Sequence, residues 1–210
     1  MNKITRIPCG NGNCFCIEGN DGAILIDSAR IQHRDTILAA CYDKNVQLIV
    51  LTHGHVDHAQ NAAALSRELN APVALHKADH DLLLDNMNEP MFAHTLLGKF
   101  VRAQSIKSFQ QDAIEPFEPG LFLDDGDRLD DYGVEATVIG LPGHTKGSIG
   151  LLVGESDLFV GDTLMNLVYP QRSLLYGNRE ELDRSVDKIN ALVGTTIHFG
   201  HGASMKNKIW

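Results

Sequence analysis

The run Thr52-His53-Gly54-His55-Val56-Asp57-His58 follows the apolar stretch Val46–Leu51 directly. Four metal-ligand side chains within six residues, at the end of a strand that reads as buried, are hard to explain as packing. Neutral imidazoles with a carboxylate are the donor set that suits zinc and neighbouring divalent metals. A loop at a strand's C-terminal end can turn several such side chains onto one point.

Working outward, three downstream turns repeat the arrangement. Leu141-Pro142-Gly143-His144-Thr145 follows a strand expected over Val134–Ile139. Gly161-Asp162-Thr163 follows one over Asp157–Val160, and Gly200-His201-Gly202 follows one over Thr196–Phe199. Glycine lets the backbone turn sharply at each place. A lone Gly-Asp-Thr means little, but four such loops in one chain form a joint signal.

The remaining pattern predicts strands over Lys3–Ile7, Cys14–Glu18, Ala23–Ile26, Leu48–Leu51, Pro72–Leu75 and Ser148–Val153, with a hairpin turn at Asn20-Asp21-Gly22. It predicts helices over Gln32–Asp43, Asp57–Leu69 and Arg179–Leu192, and a long helical stretch over Lys77–Lys107 broken near Asn88-Glu89-Pro90. Strand groups in both halves, each with helices, suggest two packed sheets with helices outside. Lys77–Lys107 is a candidate cap insertion whose Met91, Phe92, Leu96, Leu97 and Phe100 read as an apolar lid or a homodimer contact.

At 210 residues the chain fits one domain, residues 1–210, with 43% hydrophobic and 21% charged residues, as in ordinary soluble proteins. No apolar run reaches membrane-spanning length, so no membrane partner is expected. The first residues lack the apolar segment of a secretory signal, and a cytoplasmic location is the expectation. A net charge of −9 without a basic block argues against nucleic acid as a partner. The four cysteines, Cys9, Cys14, Cys16 and Cys41, lack zinc-knuckle spacing and read as reduced and structural. His33, His76 and His80 read as surface or packing residues. His198 lies three residues before His201, an offset that points it to the other face of a strand.

With these residues in place, the chain resembles the metallo-β-lactamase superfamily over essentially its whole length. Its HxHxDH motif is His53, His55, Asp57 and His58, and the later ligand positions match His144, Asp162 and His201 in order. Ile26-Asp27-Ser28 resembles the family's Asp-Thr-Gly turn with Ser and Ala substituted. The resemblance implies an α/β (α+β) fold, a four-layer αββα sandwich of two mixed sheets, with a metal site at one sheet edge and here a helical insertion. It implies that His53, His55 and His144 hold one metal, that Asp57, His58 and His201 hold the second, and that Asp162 bridges them. A shared carboxylate fixes two metals roughly 3.5–4 Å apart, with a bridging hydroxide as nucleophile. Asp57 is the catalytic candidate, orienting that hydroxide and relaying a proton. Asp27 is expected to support a ligand or a loop by hydrogen bonding, and Thr52 and Thr145 to bond within their loops.

Within the superfamily the ligand set fits glyoxalase II-like thioesterases first, with lactonases and phosphodiesterases of the same fold as alternatives. A non-hydrolytic iron-binding or regulatory member is the alternative of a different class. The two ions are expected to be zinc, though the same donors accept iron or manganese. The expected partner is a small-molecule substrate. The run Leu164–Arg172 lacks the glycines of the glutathione-binding segment, and its Arg172 and Tyr169, with His94 on the cap, are the substrate-binding candidates.

Overall fold

The computed structural model describes residues 2–210. One sheet joins β1 (Lys3–Cys9), β2 (Gly12–Glu18), β3 (Ala23–Ile26), β4 (Val46–Val50), β5 (Val73–Leu75) and β6 (Leu121–Phe122) in that order. Its first two pairings are antiparallel and the rest parallel. The second sheet uses β7 (Ala136–Gly140), β8 (Ile149–Val153), β9 (Asp157–Phe159), β12 (Thr196–His198) and β13 (Met205–Lys206), in the order β13-β12-β9-β8-β7. Between β9 and β12 the chain makes a small ribbon of β10 (Leu164–Met165) and β11 (Gln171–Arg172).

Side chains alternate across a strand, and that alternation sorts the core into three apolar layers. Cys14, Cys16, Leu25, Ile49, Leu51, Val73 and Leu75 face one way, onto Ile37 and Cys41 of α1 (Arg34–Cys41) and Ala62 and Leu65 of α3 (Ala62–Leu69). Their neighbours Phe15, Ile17, Ile24, Ile26, Leu48, Val50 and Ala74 face the other way, onto Val138, Leu151, Val153 and Phe159 of the second sheet. The outer face of that sheet packs Leu158, Val160, Ile197 and Phe199 on Val186 and Ile189 of α6 (Arg179–Asn190). The result is helix, sheet, sheet, helix. Each fully buried aliphatic side chain contributes about 1.5–3 kcal/mol relative to exposure. All four cysteines are free and buried, as expected.

One helical expectation is corrected. Asp57–Leu69 is not one helix: α2 (Val56–Ala59) stops, and α3 begins after Gln60 and Asn61. Those two side chains turn back onto the Asp27–Ile31 turn. Asn61 Nδ2 donates to the carbonyls of Ser28 (2.9 Å), Ala29 (3.3 Å) and Arg30 (2.7 Å), and Gln60 Oε1 accepts from the Ile31 N–H at 2.9 Å. Lys77–Lys107 divides around Asn88-Glu89-Pro90, as expected. Its first part, a short 3₁₀ turn and α4 (His80–Leu84), buries Asp79, Leu82 and Leu83 and belongs to the scaffold rather than to a cap. The second helix of the candidate cap stretch is α5 (Leu96–Gln111), which starts with Thr95 Oγ1 accepting from the Gly98 N–H at 2.9 Å.

Asn61→Ala removes the three bonds holding the Ser28–Arg30 turn. We expect a loss of about 1–3 kcal/mol in urea unfolding. A loss under about 0.5 kcal/mol, the range of an ordinary surface substitution, would show that the turn holds itself.

Candidate metal centre

β3 and β4 run parallel, as do β9 and β12, and β7 shares their direction because β8 is antiparallel to both β7 and β9. The C-terminal ends of β7, β9 and β12 therefore lie at one edge of their sheet, and those of β3 and β4 at one edge of theirs. The loops leaving these ends carry Asp27, then His53 to His58, His144, Asp162 and His201. They bring every expected ligand together.

Donor atoms of His53, His55 and His144 lie within 4.8 Å of one another, as do those of His53, His58 and Asp162, and of Asp57, His58 and His201. His55 Nδ1 is 3.1 Å from His144 Nε2, and His58 Nε2 is 3.4 Å from His201 Nε2. Asp162 reaches into each group: its oxygens lie 3.5 Å from His58 Nε2, 3.4 Å from His201 Nε2 and 3.8 Å from His144 Nε2. Asp57 Oδ2 lies 3.6 Å from His201 Nε2.

The far side of each ring decides which nitrogen faces the centre. His144 Nδ1 donates to the Leu175 carbonyl (3.0 Å), His201 Nδ1 to the Asn11 carbonyl (2.9 Å), and His58 Nδ1 to Asp27 Oδ2 (2.8 Å). His53 Nδ1 is 3.1 Å from Thr52 Oγ1. These four rings present Nε2 inward, while His55 presents Nδ1. Fixing the tautomer through the outer nitrogen is how metal-binding histidines are oriented.

Asp27 is the shared support. Its Oδ1 accepts from the Thr52 N–H (2.8 Å) and Thr52 Oγ1 (3.0 Å), and its Oδ2 accepts from His58. It does this at φ 60°, a conformation unfavourable for a side chain with a Cβ, held by its own N–H donating to the Val50 carbonyl at 2.9 Å.

The electrostatics separate the two halves. Burial, then the neighbouring His58, His55 and His144, push His53 well below the ordinary imidazole range. Burial and His144 take His55 down to about 3. Burial acts the same way on His58, but the carboxylates of Asp27 and Asp162 override it and raise His58 to about 10. At His201 burial is likewise overridden by Asp162, giving about 9. The buried Asp162 carboxyl, which burial alone would raise, is held well below its usual range by His201 and His58. Without a cation, protons on His58 and His201 balance the acidic side.

The donor set fits a metal on a direct observation. His53 Nε2 and Asp162 Oδ1 are buried and have no hydrogen-bond partner among the described residues. Leaving such atoms unpaired costs about 1–3 kcal/mol each, and a cation would satisfy both. Gly200 keeps the space open: a Cβ there would lie 2.6 Å from Asp162 Oδ1 and 2.9 Å from His58 Cε1.

Other expectations fare differently. His198 stays out, bonded to Asp157 (2.9 Å) and Ser204 (2.9 Å) and stacked on Phe159. Arg172 is corrected: its Nη1 donates to Asp183 (2.7 Å) and its Nη2 to the Trp210 carbonyl (3.0 Å), so it grips a carboxylate of its own chain and lies outside the cleft. Tyr169 is exposed, and His94 sits beside Arg179 and Tyr176; neither reaches the cleft. Leu96 is 87% and Phe100 63% exposed, and α5 instead turns Val101 and Ser105 into a cleft of about 470 Å³ over the metal residues. Phe109 of α5 packs on the His55 ring, centroids 4.8 Å apart.

Two supports carried no signal in the sequence. The fully buried Asp79 accepts from the N–H groups of Gly54 (2.9 Å) and Gly147 (2.6 Å) and from Thr145 Oγ1 (2.7 Å), clamping the His53–His55 loop to the His144 loop. Asn86 accepts from the Val56 N–H (2.6 Å) and donates to the Gly54 carbonyl (3.0 Å). Both look like ordinary polar residues near a helix. His33, expected at the surface, lines the cleft.

The sequence profile of the metallo-beta-lactamase superfamily matches residues 7–201. An uncharacterised protein of Mycobacterium tuberculosis is 31% identical over 96% of this chain and 91% of its own length. A hydroxyacylglutathione hydrolase of Aeromonas hydrophila is 27% identical over 99% of this chain and 68% of its own length. Among solved structures, a protein crystallised in a di-iron-bound form is 26% identical with a TM-score of 0.71, covering 97% of this chain and 94% of that one. A B3 metallo-beta-lactamase at 24% identity has a TM-score of 0.74 over 98% of this chain and 94% of that one, a likeness of fold.

Two outcomes test the centre. Metal binding near pH 7 displaces protons from His58 and His201, so the apparent calorimetric enthalpy depends on the buffer's ionisation enthalpy. A buffer-independent enthalpy would place those protons elsewhere. Asp79→Ala strands the Gly54 and Gly147 N–H groups; we expect about 2–4 kcal/mol less stability and lowered metal content by elemental analysis. Full metal content would show that the two loops keep their places without the clamp.

Proposed function

The chain belongs to the metallo-beta-lactamase superfamily, and from that premise we propose that it is a binuclear metal-dependent hydrolase acting on small thioesters. The observation that carries this reading is the convergence of His53, His55 and His144 on one side and Asp57, His58 and His201 on the other, with Asp162 between them. These residues would hold two divalent ions. Zinc is the first choice, and the di-iron-bound relative supports iron as the second. When bound, the ions supply Lewis acidity toward the carbonyl oxygen and keep a water deprotonated near neutral pH.

The chain's own groups do the rest. Asp57, whose side chain is 28% exposed and lines the cleft, accepts a proton from entering water and returns it to the departing sulfur. Asp27 and Asp79 hold the ligand loops so that the reacting geometry costs little reorganisation. Val101, Leu167, Leu174 and Leu175 give the cleft an apolar wall that excludes water and suits an acyl group. That wall equally favours an acylated lactone, the second reading. Support for the thioester comes from the hydroxyacylglutathione hydrolase relatives, while the engaged Arg172 leaves the glutathione moiety itself without its expected grip. Net charge −9 favours a small-molecule substrate over nucleic acid.

Protein loaded with zinc or with iron is assayed on a glutathione thioester and an N-acyl lactone. We expect thioester turnover whose kcat falls about 10²–10⁴-fold in Asp57→Ala at equal metal content. Lactone turnover alone would replace thioester by lactone. No turnover of either with both ions bound would sink both substrate readings and leave a phosphodiesterase of the same fold and a non-hydrolytic iron protein standing.

A further inference from the structure

We propose that the cleft contains an anion subsite, formed by Arg30 and His33, that receives a carboxylate carried by the substrate at a distance from the scissile bond. The proposal deepens the hydrolase reading and rests on it for the identity of the site.

The cleft is two-faced. Met165, Leu167, Leu174 and Leu175, with Val101 from the cap helix, make one wall apolar. The same cleft is also lined by the polar residues Arg30, Gln32 and His33 and by the Gly10–Gly12 turn. That turn lies against both His33 and His201, most tightly at Gly10. A Cβ on Gly10 would lie 3.2 Å from His33 Nε2, and one on Gly12 would lie 3.8 Å from His201 Cε1. Asn11 in the middle accepts from His201 Nδ1. His33 therefore sits one short turn away from His201.

The donors on this side are in excess. Among the described residues the His33 ring has no hydrogen-bond or ion-pair partner. Arg30 spends Nη1 on Asp112 at 2.6 Å, just past the end of α5, and among the described residues its Nε and Nη2 groups have no acceptor. Its side chain is 28% exposed. The acids lining the cleft, Asp57 and Asp162, both belong to the metal set. A guanidinium edge and an imidazole N–H with no acceptor between them suit a carboxylate, and charge-assisted bonds of this kind are the strong ones. An amphipathic molecule thus fits the cleft in one orientation: apolar group on the Leu174–Leu175 wall, reacting carbonyl at the metals, carboxylate on Arg30 and His33.

Two thioethers that cannot be hydrolysed test this: S-hexyl-N-acetylcysteine and S-hexyl-N-acetylcysteamine, which differ by one carboxylate. Their binding to metal-loaded protein is measured by calorimetry. We expect the carboxylate probe to bind at least about tenfold tighter, as a charged hydrogen-bonded group would. The preference should shrink severalfold in His33→Ala and vanish in the His33→Ala/Arg30→Gln double variant. Elemental analysis and thermal unfolding of His33→Ala, whose substitution breaks no internal bond, keep a folding defect from posing as a binding one. Equal binding of the two probes to the wild type overturns the proposal. So does a preference unchanged in both variants, which would put the carboxylate on the metal ions. Because binding is read without turnover, failure of the turnover assays counts against the hydrolase reading alone, and equal binding of the two probes to the wild type sinks the subsite alone.

Discussion

Asp27 ties the metal centre to the fold. It is the first residue past β3, its N–H is spent on β4, and its carboxylate spans Thr52 and His58. One buried side chain thus fixes where the ligand loop leaves the sheet and which nitrogen His58 offers. The left-handed backbone at Asp27 is the conformational cost of that reach. The surrounding bonds over-determine it: Asn61 holds the three following carbonyls, and Ser28 Oγ donates to the His58 carbonyl at 2.8 Å.

The centre divides its charge by the same means. His53 and His55 are surrounded by other rings and by apolar packing, and burial keeps them neutral and ready to ligate. His58 and His201 face Asp162, whose carboxylate raises both above the ordinary imidazole range. A fold can keep this many ionisable groups buried only if each ring's outer nitrogen and each carboxylate's outer oxygen is satisfied. Among the described residues two buried side-chain atoms are left unpaired, His53 Nε2 and Asp162 Oδ1, and both belong to the centre.

The cap acts through position more than through its apolar stripe. α5 is fastened near its start, where the Phe92 N–H donates to the Tyr176 carbonyl at 2.8 Å, and just past its end by Arg30 on Asp112. Between these ties it sets Val101 and Ser105 over the cleft and leaves Leu96 and Phe100 to the outside. That exposed face is the part of the cap with no role in the cleft.

The sequence by itself determined the strands of the core, the strand-end loops and the metal-ligand set. Those are written in local signals: two-residue alternation, glycines at sharp turns, and imidazoles crowded into one loop. It did not determine where Asp57–Leu69 breaks, because the break is made by Gln60 and Asn61 bonding a turn some thirty residues earlier. Nor did it reveal Asp79, whose value comes from three donors on two distant loops, or Arg172, whose charge is consumed by Asp183 and the Trp210 carbonyl. Periodicity and ligand type are properties of a few adjacent residues and can be read along the chain. A hydrogen bond between distant residues exists only once the sheets have stacked, so the supports, the cleft lining and the spent arginine were decided by the tertiary structure.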